Sequence, residues 1–113
     1  MTVPEFSNTE SRVGFFLDKA DEGVSKAFKR LHWEILKNGH LTKKEKLVIA
    51  VASAVAAKCE ICVKALTAEA LKNGATIEEL TEAVSVASLV CAGSGFNFSA
   101  LIFDCVKENE KNE

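Results

Sequence analysis

Residues 5–113 contain no proline; the single proline is Pro4. Proline removes a helical hydrogen bond and clashes with the preceding turn, so nothing of that kind interrupts the rest of the chain. Ala, Leu, Glu and Lys are abundant and aromatic residues are few, which favours helix throughout. No stretch alternates apolar and polar residues for long enough to define a strand. The expected fold is all-α, a bundle of about six helices in one domain spanning residues 1–113.

Capping signals set the divisions. Ser7-Asn8-Thr9-Glu10 has the form of a capping box and predicts a first helix reaching Phe15 or Phe16. A second is expected over residues 19–37, with Val24, Phe28, Leu31 and Ile35 at helical spacing and Asn38-Gly39 as its stop. Thr42-Lys43-Lys44-Glu45 is another capping box and opens a third helix. Its apolar run, residues 47–57, covers nearly the whole circumference, which predicts burial on most sides. In so small a domain it also predicts a subunit interface. A fourth helix carries Cys62, Leu66 and Ala70 and ends at Asn73-Gly74. Thr76-Ile77-Glu78-Glu79 caps a fifth, expected to reach about Val90 and to be broken by Gly93-Ser94-Gly95. A sixth holds Phe98, Leu101, Ile102 and Cys105, and residues 107–113 read as a frayed charged tail.

A chain of 113 residues can bury roughly 65% of its unfolded surface, enough for a core without disulfide staples. The net charge of −2 and a pI near 5.7 give no electrostatic basis for binding nucleic acid. The apolar run of residues 47–57 is too short to cross a bilayer, and no apolar leader segment follows Met1. A cytoplasmic location without membrane association is therefore expected. In that reducing compartment the four cysteines point to chemistry rather than to staples.

The chemistry is concentrated in Cys59-Glu60-Ile61-Cys62. Thiols three residues apart on a helix share one face and can reach bonding distance. If Cys59 lies near a helix start, the partial positive charge there favours its thiolate. Lys58 and Lys64 act in the same sense, and Glu60 opposes them. Cys59 is the expected attacking thiol and Cys62 the resolving one. The rival readings are a pair of small packed residues, or half a metal site. The metal reading lacks a second paired ligand motif, since Cys91 and Cys105 stand singly and are expected in the core.

The stretch LTKKEKLVIAVASAVAAKCEICVKALTAEALKNGATIEEL, residues 41–80, resembles the AhpD-like, or carboxymuconolactone decarboxylase, family. It carries that family's charged opening, its alanine-rich helix, its C-x-x-C, and a Gly-Ala-Thr turn followed by acidic residues. The resemblance implies an all-α protein assembled as a homo-trimer or homo-hexamer. It places Cys59 and Cys62 as the redox pair of an alkyl hydroperoxidase D-like enzyme that needs no metal or flavin. Its substrates would be a hydroperoxide or a protein or lipoyl disulfide, and its partners a lipoyl-bearing protein or a peroxiredoxin. The family's proton relay is a glutamate twelve residues before the first cysteine and a histidine four after the second. Here those positions are Leu47 and Leu66. Two other readings therefore stay open: a disulfide reductase or redox sensor without peroxidase activity, and a non-enzymatic oligomeric scaffold.

Other polar residues have simpler readings. Glu45 lies about 200° around the helix from position 47 and is expected to cap. Glu69 is two turns beyond Cys62 and reads as a solvated charge. His32 sits beside Trp33 on the second helix, and His40 lies in a linker. Gly93 and Gly95 are not followed by the Lys-Ser/Thr of a phosphate loop.

Overall fold

The computed structural model describes residues 2–6 and 12–112. These form six α-helices and no strand: α1 (Val13–Ala20), α2 (Glu22–Leu36), α3 (Lys43–Ala56), α4 (Glu60–Lys72), α5 (Ile77–Ser99) and α6 (Leu101–Lys111). The all-α expectation holds. The capping box expected at Ser7 to Glu10 lies outside the described residues, and α1 continues past Phe16 to Ala20. Helix α2 starts at Glu22 rather than at residue 19, because the Asp21 side chain accepts the Val24 N–H as its N-cap.

The two central capping boxes form as expected. Thr42 accepts the Glu45 N–H while Glu45 accepts the Thr42 N–H. Thr76 and Glu79 repeat the arrangement at the start of α5. Lys44 pairs with Glu79 at 3.0 Å, which sets the first turns of α3 and α5 side by side. At the far end, Val55 and Ala56 of α3 share a small cavity with Ser88 and Cys91 of α5. The two helices are therefore parallel and in step. Helix α4 turns back along α3 and places Ala70 against Leu47.

The core is Leu47, Val51, Ala70, Ala75 and Leu80, with Leu36, Val48, Leu66 and Val84 packed on it. Alanine at the α3–α4 crossing lets the two backbones come close. Helix α3 is not buried all round: Leu47, Val51 and Ala54 face inward, while Ile49 and Ser53 are exposed. Lys46 anchors α2 by donating to the carbonyls of Ile35 and Lys37 at 2.7 and 2.8 Å, which satisfies the end of that helix.

The C-terminal region departs most from expectation. Gly93-Ser94-Gly95 does not break α5, which runs to Ser99 and continues through one turn residue into α6. A glycine costs about 1 kcal/mol relative to alanine inside a helix, which weakens the helix without ending it. Residues 107–111 are helical rather than frayed. The helical stretch from Ile77 to Lys111 is long and apolar enough, by length and composition, to cross a membrane. It is also almost bare beyond its contact with α3. Cys91 and Cys105, expected in the core, are exposed.

Lys44 donates a hydrogen bond to the Glu79 carboxyl and holds it below its ordinary value, with the Thr76 cap acting in the same direction. A depressed carboxyl contributes stability above its unfolded value, near 4.3, and loses it as pH falls through the folded value. Glu79→Gln should lower the thermal midpoint at pH 7 but leave it equal to that of the parent near pH 3, as read by circular dichroism.

Candidate active site at the start of the fourth helix

Cys59 and Cys62 are joined, Sγ to Sγ, at 2.06 Å, with their Cα atoms 5.2 Å apart. Both are half-buried. The pair does not lie within one helix. Cys59 is the N-cap of α4 in extended conformation, and Cys62 is its third helical residue.

The turn before the pair explains that placement. Helix α3 ends with the Lys58 N–H on the Val55 carbonyl and the Cys59 N–H on the Ala54 carbonyl, both at 3.1 Å. This is the Schellman pattern, which requires a left-handed residue between the helix cap and Cys59. Lys58 fills that place at φ 59°. A side-chain-bearing residue pays roughly 1–2 kcal/mol for such a conformation. The strain is held by the two hydrogen bonds and sits directly against the thiols, where strained backbone is often part of a site. Helix α4 ends in the same motif, with Gly74 at φ 90° and the Ala75 N–H on the Ala70 carbonyl.

Because Cys59 is the N-cap, its sulfur lies beside the unpaired N–H groups that open α4. No side chain caps this helix while the disulfide is formed. Reduction frees the Cys59 sulfur to take that role, and a thiolate takes it better than a thiol. Lys64 pairs with Glu60 at 3.0 Å and holds its carboxyl below the ordinary value, so Glu60 is ionised and largely neutralised. Arg12 shares a surface recess with Glu60, Ile61 and Lys64.

The two positions of the family relay are apolar by packing as well as by identity. Leu47 is 1% exposed at the centre of the core, and Leu66 packs against that core. Glu45 is a cap, as expected. His40 is exposed in the linker before α3. Glu69 was expected as a solvated charge and His32 as a packed or surface residue, and both line one cavity of about 670 Å³ that Leu47 and Leu66 also border. Nothing in the sequence signals this, because it depends on how α2 is set beside the central helices. Glu69 lies 3.8 Å from Lys72. Among the described residues no three His, Cys, Asp or Glu side chains gather in a way that could hold a metal ion.

An all-helical core with a cysteine pair at the α3–α4 turn defines a class, and comparison with known proteins identifies it. Residues 22–104 match the carboxymuconolactone decarboxylase family, and the chain belongs to that family. A solved structure from Methanobacterium thermoautotrophicum is similar, with 41% identity and a TM-score of 0.72, covering 78% of this chain and 98% of that one. A protein of Paracoccus denitrificans, described as uncharacterized protein 4 in cox locus, is 33% identical over 78 residues, which is 69% of this chain and 70% of that one.

Proposed function

We propose that this family member is a cytoplasmic thiol–disulfide oxidoreductase that cycles Cys59 and Cys62 between dithiol and disulfide. The observation that carries the reading is the placement of Cys59 as the N-cap of α4, bonded to Cys62 in the helix's first turn. In the peroxide half-reaction the Cys59 thiolate attacks one peroxide oxygen and the O–O bond breaks. The products are a sulfenic acid and an alkoxide, which takes a proton to become the alcohol. Cys62 then attacks the Cys59 sulfur, the S–S bond forms, and hydroxide leaves as water with the Cys62 proton. A dithiol donor such as a lipoyl group restores the pair by exchange and is itself oxidised to its disulfide. A lipoyl-bearing protein or a peroxiredoxin is the expected partner, and a homo-trimer or homo-hexamer the expected assembly.

A second reading has its own support. With Leu47 and Leu66 at the relay positions, no proton-transfer group stands at either. This favours disulfide exchange over peroxide reduction, because exchange depends chiefly on thiolate character and access.

Intact-mass measurement on reduced protein treated with one equivalent of hydroperoxide tests both. Rapid loss of two hydrogens, mapped to Cys59–Cys62 and reversed by dihydrolipoamide, supports the peroxidase. Slow oxidation by peroxide with fast exchange against a lipoyl disulfide supports the second reading. Failure of both reactions would leave the motif as packing in an oligomeric scaffold. Cys59→Ser and Cys62→Ser should each abolish turnover while leaving the helical circular dichroism intact.

A further inference from the structure

The chain exposes far more surface than its mass requires. A folded monomer of 12.2 kDa presents about 6,100 Å² by the usual scaling. This one presents 8737 Å², an excess on the order of 2,600 Å². Its radius of gyration is 19.7 Å, against about 13 Å for a compact domain of this length. A standard interface covers about 800 Å² per partner, and obligate ones more. The excess is what an obligate assembly leaves on one isolated protomer.

Much of that surface is on one element. Helix α3 accompanies α5 only as far as Ser88 and Cys91. Beyond that point the helix projects as an arm of residues 92–111, roughly 30 Å long at 1.5 Å per residue. Phe98, Leu101, Ile102, Cys105 and Val106 form a stripe along it at helical spacing. Phe98 is 75% exposed and Ile102 62%.

A matching groove lies elsewhere on the molecule. Phe28, Leu31 and Ile35 of α2 and Ala50 and Leu66 of the central helices line an apolar cavity of about 300 Å³. The protomer's own arm is not placed to fill it. Lys46, near the start of α3, anchors the end of α2, whereas the arm departs past Val55 and Ala56 at the opposite end of α3. A bilayer is the weaker occupant for the arm. The uncharged run of residues 83–103 is about 31 Å of helix, but Val84, Ser88 and Cys91 in its first half lie against the core and α3, which leaves only residues 92–103, about 18 Å, clear of the bundle, short of the ~30 Å hydrocarbon thickness.

We propose that the arm of one copy seats its Phe98–Leu101–Ile102–Cys105–Val106 stripe in the α2–α3 groove of a second copy. The contact joins two different surfaces, arm to groove. It rests on the oligomeric part of the proposed function and specifies the surface that reading leaves open. It also bears on the redox site. Leu66 borders the groove one turn from Cys62, so the seated arm covers the apolar side of the space beside the thiols.

The test uses the arm's own thiol. In a Cys91→Ser background, Ile35→Cys is introduced and the protein is oxidised mildly at micromolar concentration. Covalent dimers and higher species are expected on non-reducing gels, joined between Cys105 and the introduced cysteine by peptide mapping. They should vanish in Cys105→Ser. Separately, Phe98→Glu with Ile102→Glu should convert the oligomer seen by light scattering into monomer. An oligomeric parent that gives no such cross-link, or that stays assembled with both glutamates, overturns the arm-to-groove contact while the oligomeric reading stands. A monomeric parent overturns both. Partition of the parent onto phospholipid vesicles, with no cross-link, overturns the inference in favour of a membrane surface.

Discussion

Leu47→Ala is expected to destabilise the fold by about 2–5 kcal/mol, the range for a large-to-alanine change at a fully buried site. Leu47 is the large side chain most completely removed from solvent among the described residues, at 1% exposure. It sits where α3, α4 and α5 meet, against a core otherwise made of one leucine, one valine and two alanines. A core of such small residues has little bulk with which to collapse into the void. Against a typical total of about 5–15 kcal/mol for a domain, the loss is a large fraction, and urea denaturation followed by circular dichroism measures it directly. A change below about 1 kcal/mol would mean that neighbouring helices shift to close the void. Leu47→Glu at the same site should destabilise the fold further at neutral pH, because it puts a carboxylate in the most buried position of the core. The family's glutamate position is thus part of the core in this chain.

The sequence made some of this architecture legible and hid the rest, for identifiable reasons. The capping boxes at Thr42 and Thr76 and the stop at Asn73-Gly74 were readable because each is a local contract among residues three or four apart. The extent of α5 was not. Gly93 and Gly95 look like a break, but with no proline the helix continues through them, and Asn97 Nδ2 and Ser99 Oγ donate to the Gly93 and Gly95 carbonyls. Exposure was misjudged for Cys91 and Cys105 because an apolar residue on a helix signals burial without saying against what.

At the site, Cys59 and Cys62 were legible as a pair, yet their positions were not. The left-handed Lys58 ends α3 where a glycine would ordinarily announce the turn, so the sequence allows Cys59 near a helix start without marking it as the cap. The approach of His32 and Glu69 to one cavity required the setting of α2 beside the central helices, which no spacing within the chain encodes.

Leu66→His is expected to raise the rate of Cys59–Cys62 oxidation by a hydroperoxide by about 10²-fold, the lower end of what a placed general acid–base group supplies. The position lies four residues after Cys62 on α4, where side chains meet on one face. It is half-buried beside a cavity and so can accept a polar ring at less cost than position 47. Glu69 follows one turn later and borders the same cavity. The introduced imidazole would then stand between the resolving thiol and a carboxylate, and its neutral form would take the Cys62 proton. The gain should therefore grow as pH rises through about 6.5, the ordinary imidazole value, and should shrink when Glu69→Gln is added. Quenched-flow mass analysis of the reduced protein, run beside a lipoyl disulfide exchange assay, reads both quantities. Faster peroxide oxidation with unchanged exchange would show that only proton transfer had been missing from a peroxidase site. An unchanged peroxide rate in a variant that folds and exchanges normally would place the peroxide elsewhere and leave disulfide exchange as the work of this cysteine pair.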